Sequence, residues 1–172
     1  MLDTTLSVYL DSLYGYAMVL TRDATVAADL VLETYVRGLS AIKSVKADCL
    51  VKSWLFTILR TIWLNQLPKQ CTALKIVELN DEDSADVVPE IFQGSHALGE
   101  SKLEPDQVRE AIQQLPVEFS EIIILREHEE LSCQEIATLL ECSPQTVVAR
   151  LARARSKLRI LLSESQASSK TD

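Results

Sequence analysis

The amino-acid sequence predicts an all-α fold of two small helical domains joined by a flexible acidic linker, with a helix-turn-helix in the C-terminal domain. The 172 residues include only 4 Gly and 5 Pro, fewer than a turn-rich β fold needs. Apolar residues make up 47% of the chain and recur at the three- and four-residue spacing of amphipathic helices. We therefore expect an N-terminal domain at 1–68, a linker at 69–104, a C-terminal domain at 105–165 and a disordered tail at 166–172.

Three helices are predicted in the N-terminal domain, at 5–21, 26–42 and about 51–67. Residues 21–23 separate the first two helices and offer an N-cap to the second. The third helix contains the apolar block WLFTILRTIWL and ends before Pro68, because proline lacks the N–H that a helix interior requires.

The stretch from 69 to 104 has a different composition. Residues 71–106 hold 2 basic and 9 acidic side chains, which accounts for most of the net charge of −8. The acidic run NDEDSAD shows no apolar periodicity, and QGSHALGES is rich in small and polar residues. Such a segment can bury little apolar surface, so we expect a flexible linker that allows the two domains to sit apart.

Four helices are predicted in the C-terminal domain, at 105–114, 117–128, 132–140 and 144–162. A proline stands near the start of three of them, where its missing N–H costs nothing. These are Pro105, Pro116 and Pro144.

The last two of these helices have the pattern of a helix-turn-helix. Ser132 and Glu135 form a capping box that begins the first helix. The two helices of such a unit cross closely, which favours a small residue in the first and an aliphatic residue in the second, and Ala137 and Val147 fit these positions. Glu141 stands in the turn where glycine is frequent.

The second helix of this unit has a basic face. Between 145 and 162 the chain holds five basic residues and no acidic one. The first residues of the helix would contact base edges in the major groove, and the arginines would reach guanines or phosphates. The alternative is a solvated basic face on the last helix of a bundle. Together with the capping box and the turn, the pattern favours DNA binding by Gln145, Thr146, Ala149, Arg150, Arg153, Arg155 and Lys157.

Other function classes find little support in the sequence. A glycine-rich phosphate loop is absent, and His96 and His128 lack partners at catalytic or metal-ligand spacing. No apolar run approaches the roughly 20 residues of a membrane span, and no basic stretch precedes an apolar one at the N-terminus. We expect a cytoplasmic, non-enzymatic protein without a cofactor, a metal, a small-molecule substrate or direct membrane insertion. Four scattered cysteines form no CxxC motif: Cys49, Cys71, Cys133 and Cys142.

Two stretches of the sequence, one in each predicted domain, together indicate a protein family. The first is LYGYAMVLTRDATVAADLVLETYVRG followed by KSWLFTILR, and the second is AIQQLPVEFSEIIILREHEELSCQEIATLLECSPQTVVARLARARSKLR. They resemble the N-terminal and C-terminal domains of bacterial RNA polymerase sigma factors of the extracytoplasmic-function group, in the sigma-70 family. The resemblance covers roughly 10–66 and 107–161, with an unmatched linker between them.

The resemblance implies a factor that binds core RNA polymerase, opens promoter DNA at the −10 element and is held inactive by an anti-sigma protein. The C-terminal helix-turn-helix would read the −35 element. The second helix would dock on a coiled coil of the largest polymerase subunit through Asp29, Leu32, Glu33, Tyr35 and Arg37. The third helix, with residues 41–50, would capture an unstacked base of the −10 element. Its site residues would be Lys52, Trp54, Arg60, Thr61, Trp63 and Asn65.

The chain departs from the family pattern within these helices. Leu32 stands where a glutamine is usual, and Thr61, Asn65, Pro68 and Lys69 replace an Asn, an Asp and a pair of arginines. Fewer basic residues there mean fewer phosphate contacts near melted DNA, and Trp63 could instead be a core residue. Two alternatives stay open: a sigma-like decoy that sequesters an anti-sigma protein, and a helix-turn-helix transcriptional regulator.

Overall fold

The computed structural model describes residues 6–42, 51–68 and 105–169, which form helices and the turns between them. The predicted linker at 69–104 and most of the segment 41–50 lie outside the described residues. The helices are α1 (Leu10–Thr21), α2 (Ala24–Ala41), α3 (Val51–Gln66), α4 (Pro105–Gln114), α5 (Val117–Ile123), α6 (Cys133–Leu140) and α7 (Pro144–Ser169).

The N-terminal helices lie where the apolar spacing predicts them. Residues 6–7 are helical, as predicted, but a turn at residues 8–9, in which the Tyr9 N–H donates to the Leu6 carbonyl at 3.1 Å, separates them from helix α1, which begins at Leu10. Helix α2 begins after Asp23, whose Oδ1 accepts a hydrogen bond from the Val26 N–H at 3.0 Å. The N-cap expected within residues 21–23 is therefore confirmed.

The C-terminal helix extends further than predicted. Helix α7 runs to Ser169, so residues 166–169, which we expected in a disordered tail, are helical. Leu158 and Leu162 are buried and fix its second half against the core. No glycine or proline follows them before residue 169, and the helix therefore has no signal to end earlier.

The helix predicted at 117–128 changes its geometry near its end. After α5 the chain forms a wider π-helical turn at Ile124–His128, in which the Glu129 N–H donates to the Ile124 carbonyl at 2.9 Å. Glu129 follows this turn and is only 4% exposed. The π-helical turn thus follows the end of α5 and places the carboxylate of Glu129 in a buried position.

Within the described residues, these seven helices contribute to one continuous core. Helices α1–α3, called the N-terminal group, pack on one another, and α4–α7, the C-terminal group, do the same. The two groups also pack together, α1 against α5 and α3 against α6. Both therefore supply fully buried side chains, among them Leu13, Tyr16, Phe56, Ile122, Ile136 and Val147. The linker composition suggested domains that sit apart, whereas in this structure they are in direct contact.

Candidate nucleic-acid interface

The helix-turn-helix begins with the capping box that the sequence predicts. The Ser132 Oγ accepts a hydrogen bond from the Glu135 N–H at 3.1 Å, and Glu135 Oε2 accepts one from the Ser132 N–H at 2.8 Å. Two backbone donors that the first turn of α6 leaves without helical partners are thereby satisfied. This reciprocal pair fixes where α6 starts.

The turn between α6 and α7 contains a left-handed residue that is not glycine. Glu141 has φ 55° and ψ 44°, a conformation that costs a residue with a Cβ roughly 1–2 kcal/mol. The Cys142 N–H donates to the Ala137 carbonyl at 3.0 Å, and the Ser143 Oγ accepts from the Thr146 N–H at 3.1 Å. The turn keeps the geometry that glycine usually provides because hydrogen bonds close both of its sides.

The crossing of α6 and α7 is tight at its centre. Ala137 is 2% exposed and Val147 is fully buried, as the spacing of ten residues between them predicts. Helix α6 packs along α7, and Leu151 and Ala154 continue the buried side of α7. The opposite side of the first half of α7 carries Gln145, Ala149 and Arg153, which are among the residues predicted to contact DNA.

The seven residues predicted to contact the −35 element differ in exposure. Gln145, Arg153 and Lys157 are exposed, and the other four (Thr146, Ala149, Arg150 and Arg155) are half-buried. Arg155 pairs with Glu127, since its Nε donates to Glu127 Oε1 at 2.9 Å. The Lys157 ammonium lies 5.1 Å from the centre of the Phe119 ring. The exposed members of the predicted set therefore occur in both halves of α7.

The residues predicted to dock on polymerase lie along α2. Asp29, Leu32 and Arg37 are exposed, whereas Glu33 and Tyr35 are half-buried. Glu33 and Arg37 form an ion pair at 2.5 Å across one helical turn. Leu32 is 63% exposed and Val36, one helical turn later, is 55% exposed, so this side of α2 presents apolar side chains to solvent.

The residues predicted to contact the −10 element fall into two sets on α3. Thr61 and Asn65 are exposed and Trp54 is half-buried, whereas Trp63 is 7% exposed and belongs to the core. The two cations, Lys52 and Arg60, contact carboxylates of the C-terminal group. In this structure both basic residues of α3 thus pair with protein carboxylates.

The carboxylate that meets Arg60 is Glu121, at the centre of the contact between the two groups. Glu121 is 4% exposed, and its Oε1 accepts hydrogen bonds from the Tyr16 hydroxyl at 2.6 Å and from Arg60 Nε at 2.8 Å. Burial and the charge of Glu121 raise the pKa of Tyr16 well above its usual value. Burial is the largest single influence and would lower the pKa of Arg60, but the charge and hydrogen bond of Glu121, together with the charges of Tyr16 and Glu141, raise it. Tyr16 and Arg60, the two partners of Glu121, are therefore held in their protonated forms.

Glu129 forms a second contact of this kind. Its Oε2 lies 2.8 Å from Lys52 Nζ, which also donates to the Glu129 backbone carbonyl at 2.8 Å. His128 Nδ1 lies 2.8 Å from the other carboxylate oxygen, and Ser12 hydrogen-bonds the same side chain. Burial is the largest single influence and would raise the pKa of Glu129, but the hydrogen bonds from Lys52, His128 and Ser12 and the charge of Lys52 together lower it from its usual value.

Sequence reasoning did not identify these two carboxylates, which we call the interdomain carboxylates. Glu121 carries a detectable signal because it interrupts the apolar run FSEIIIL, and a charge in such a run requires a buried partner. Glu129 carries none, since its neighbours in REHEE are polar. Arg22 also donates a hydrogen bond to the Leu115 carbonyl and thereby joins the N-terminal group to the C-terminal group.

Other kinds of site are not evident in the part of the chain that the structure describes. Among those residues, no cluster of three or more His, Cys, Asp or Glu could hold a metal ion. No described helix is both long and apolar enough to cross a membrane. Cys133 and Cys142 are free thiols, and Cys49 and Cys71 lie outside the described residues, as does His96.

Two family models match the chain. Residues 6–71 match sigma-70 region 2, and residues 106–158 match sigma-70 region 4. The ECF RNA polymerase sigma factor EcfG of Rhodopseudomonas palustris is 32% identical over 151 residues, covering 88% of this chain and 79% of that protein. The chain belongs to the ECF group of RNA polymerase sigma factors.

Further relatives support the same family. The RNA polymerase sigma factor SigV of Bacillus subtilis is 28% identical, with 95% of this chain and 92% of that protein covered. The sigma factor RpoE of Bartonella quintana, solved in complex with the anti-sigma factor NepR, shares 25% identity at a TM-score of 0.67. That match covers 94% of this chain and 96% of the solved one.

The protein is an alternative sigma factor, which binds core RNA polymerase and directs transcription initiation at specific promoters. Region 2 contains the whole N-terminal group, and region 4 contains α4 to α6 and the first half of α7. The interdomain carboxylates belong to region 4, whereas Lys52 and Arg60 belong to region 2. The ion pairs thus join the two matched regions of the sigma factor directly.

Proposed function

We propose that the helix-turn-helix reads the −35 element, that α3 contacts the −10 element and that α2 docks on polymerase. The observation that supports the first assignment is the presentation of α7, whose first turns display Gln145 on a scaffold closed by the capping box. A recognition helix contacts base edges with its N-terminal residues, and Arg150 and Arg153 follow at the spacing of one helical face. These residues are the proposed base and phosphate contacts.

Promoter reading is tested by transcription with purified core polymerase. Run-off transcription from a promoter library should yield defined start sites that depend on this protein. The double variant Arg150→Ala/Arg153→Ala should lower transcript yield at least tenfold, because each arginine contact with a base or phosphate contributes about 1–3 kcal/mol. The matched control Arg109→Ala removes an exposed cation of α4 and should leave the yield within about twofold.

Retained yield in the double variant would contradict the −35 assignment. A wild-type protein that binds an anti-sigma protein but gives no transcript from any promoter would instead favour the decoy alternative. Region 2 speaks against a simple helix-turn-helix regulator, since such a regulator does not need a polymerase-docking region.

Polymerase docking is proposed for the exposed side of α2. Leu32 is 63% exposed, so the fold does not need it, and an apolar side chain so exposed on a helix suits a protein partner. Leu32→Glu should weaken binding to core polymerase at least tenfold in a fluorescence titration. Gln113→Glu adds the same charge at an exposed position of α4 and should bind as the wild type does. Equal affinities of the two variants would remove α2 from the interface.

An anti-sigma protein is the proposed regulatory partner, and the cytoplasm the proposed location. The support is the likeness to the Bartonella quintana sigma factor, which was solved with an anti-sigma factor. Such a partner should compete with core polymerase for the wild-type protein. If the two bind together without competition, the partner does not act as an anti-sigma protein.

A further inference from the structure

The first turn of α7 differs in charge from the first turns of the other helices of the C-terminal group. Helices α4, α5 and α6 each have an acidic side chain there, namely Asp106, Glu118 and Glu135, whereas α7 has none. A carboxylate in the first turn stabilises a helix because it compensates the partial positive charge of the helix N-terminus. The same carboxylate would repel the phosphates that border a DNA groove. The neutral first turn of α7 therefore suits contact with DNA.

Gln145 is the side chain of this first turn that is available to a base. The neighbouring Thr146 is half-buried, and its hydroxyl lies 2.8 Å from the Ser143 Oγ, which also accepts a hydrogen bond from the Thr146 N–H. Gln145 is exposed, and among the described residues none forms a hydrogen bond with its amide. The amide thus keeps both its donor and its acceptor for a ligand.

The residues that follow Gln145 on the same side of α7 do not compete with it. Val148, Ala149 and Ala152, three, four and seven residues later, have no hydrogen-bonding group in their side chains. The next polar side chain on that side is Arg153. Eight residues of α-helix span about 12 Å, which is more than three base-pair steps of about 3.4 Å each. Gln145 and Arg153 are therefore placed to contact different base pairs.

We propose that Gln145 determines the identity of one base of the −35 element, and that this base is adenine. A glutamine amide forms two hydrogen bonds with adenine in the major groove, one donated to N7 and one accepted from the N6 amino group. Adenine alone presents this combination of an acceptor and a donor there. The inference rests on the proposed role of the helix-turn-helix in reading the −35 element, and it adds a specificity-determining residue and the base that it selects.

Transcription from a randomised library tests the proposal with the complete holoenzyme. Core polymerase and the full-length protein transcribe a promoter that the wild type uses, with its −35 region randomised, and the productive templates are sequenced. The wild type should favour adenine at one position, where Gln145→Ala should lower the preference on the order of tenfold. Preferences at the other positions should persist, because Arg150 and Arg153 are unchanged.

The variant Gln145→Glu distinguishes a base contact from a supporting role in the helix. Glutamate has nearly the same shape as glutamine, but its carboxylate has only acceptors, which suit the N4 amino group of cytosine. The preferred base at the same single position should therefore change from adenine to cytosine. A side chain that merely stabilised the helix could not change which base is preferred.

Gln134→Ala is the matched control. Gln134 is the second residue of α6, as Gln145 is of α7, and it is also exposed. Its substitution should leave every base preference as in the wild type.

Three results would overturn the proposal: unchanged preferences in Gln145→Ala, an equal loss of preference at all positions, or a base other than adenine at the position that Gln145 controls. A wild type without any preference in the −35 region would overturn the proposed role of the helix-turn-helix as well. The two failures are distinguishable, because the second is already visible in the wild type.

Discussion

The two helices proposed to contact the promoter, α3 and α7, present their basic residues differently. On α7 Arg153 and Lys157 are exposed, and Arg155 pairs with Glu127 of its own group. On α3 both Lys52 and Arg60 pair with carboxylates of the other group. The comparison shows that a basic residue in a DNA-binding helix can contact DNA only where its charge is not already paired with a carboxylate of the protein.

The largest predicted effect breaks the contact at α3. Arg60→Met leaves Glu121 buried with Tyr16 as its remaining close partner, and should lower the free energy of unfolding by about 3 kcal/mol. Urea denaturation followed by circular dichroism measures it. Arg109→Met serves as control, since its pair with Asp106 is exposed and 3.7 Å long and should change stability by less than about 0.5 kcal/mol. Equal losses would mean that burial of the Arg60 pair has no energetic consequence.

A smaller effect is expected from the hydroxyl on the other side of Glu121. Tyr16→Phe keeps the aromatic contact with Phe56, whose ring centre is 5.0 Å away, but removes a buried hydrogen bond. The loss should be about 1–2 kcal/mol. Tyr14→Phe, at a 40% exposed position of the same helix, should be nearly neutral. A neutral Tyr16→Phe would show that the hydroxyl does not stabilise the contact.

The raised pKa of Tyr16 also predicts a pH dependence. Its phenol stays protonated in the folded protein at pH values where the unfolded chain already ionises. The stabilisation is therefore complete below the usual tyrosine pKa of about 10 and is lost as the pH rises beyond it. Chemical denaturation between pH 9 and 11 should show a steeper loss for the wild type than for Tyr16→Phe. The same loss of stability with pH in both proteins would contradict a pKa of Tyr16 that is higher in the folded than in the unfolded chain.

How far the sequence predicts the molecule depends on the range of the interaction. The capping box of Ser132 and Glu135, the N-cap at Asp23 and the packing of Ala137 with Val147 follow from spacings of a few residues, and the structure confirms them. The pair of Lys52 and Glu129 joins residues 77 positions apart, and Tyr16 lies 105 positions from Glu121. Helical periodicity holds no information at that range, so the sequence places Lys52 and Arg60 among the expected contacts with DNA and does not reveal their carboxylate partners.

The smallest effect concerns the turn of the helix-turn-helix, away from the interdomain pairs. Glu141→Gly relieves the left-handed strain but adds backbone freedom to the unfolded chain, and should stabilise the protein by about 0.5 kcal/mol. Gln134→Gly, on the exposed side of α6, should instead destabilise by about 1 kcal/mol. Thermal denaturation compares the two variants. Destabilisation by Glu141→Gly would show that the glutamate side chain stabilises the turn by more than its strain costs.

The distance between the N-terminal and C-terminal groups is the most direct test of their packing against each other. Spin labels introduced through unnatural amino acids at Thr25 of α2 and Gln113 of α4, both exposed, report it by pulsed electron resonance. We predict a single short distance in the free factor and an increase of tens of ångströms in the complex with core polymerase and promoter DNA. The same distance in both states, or widely distributed distances in the free factor, would contradict the account.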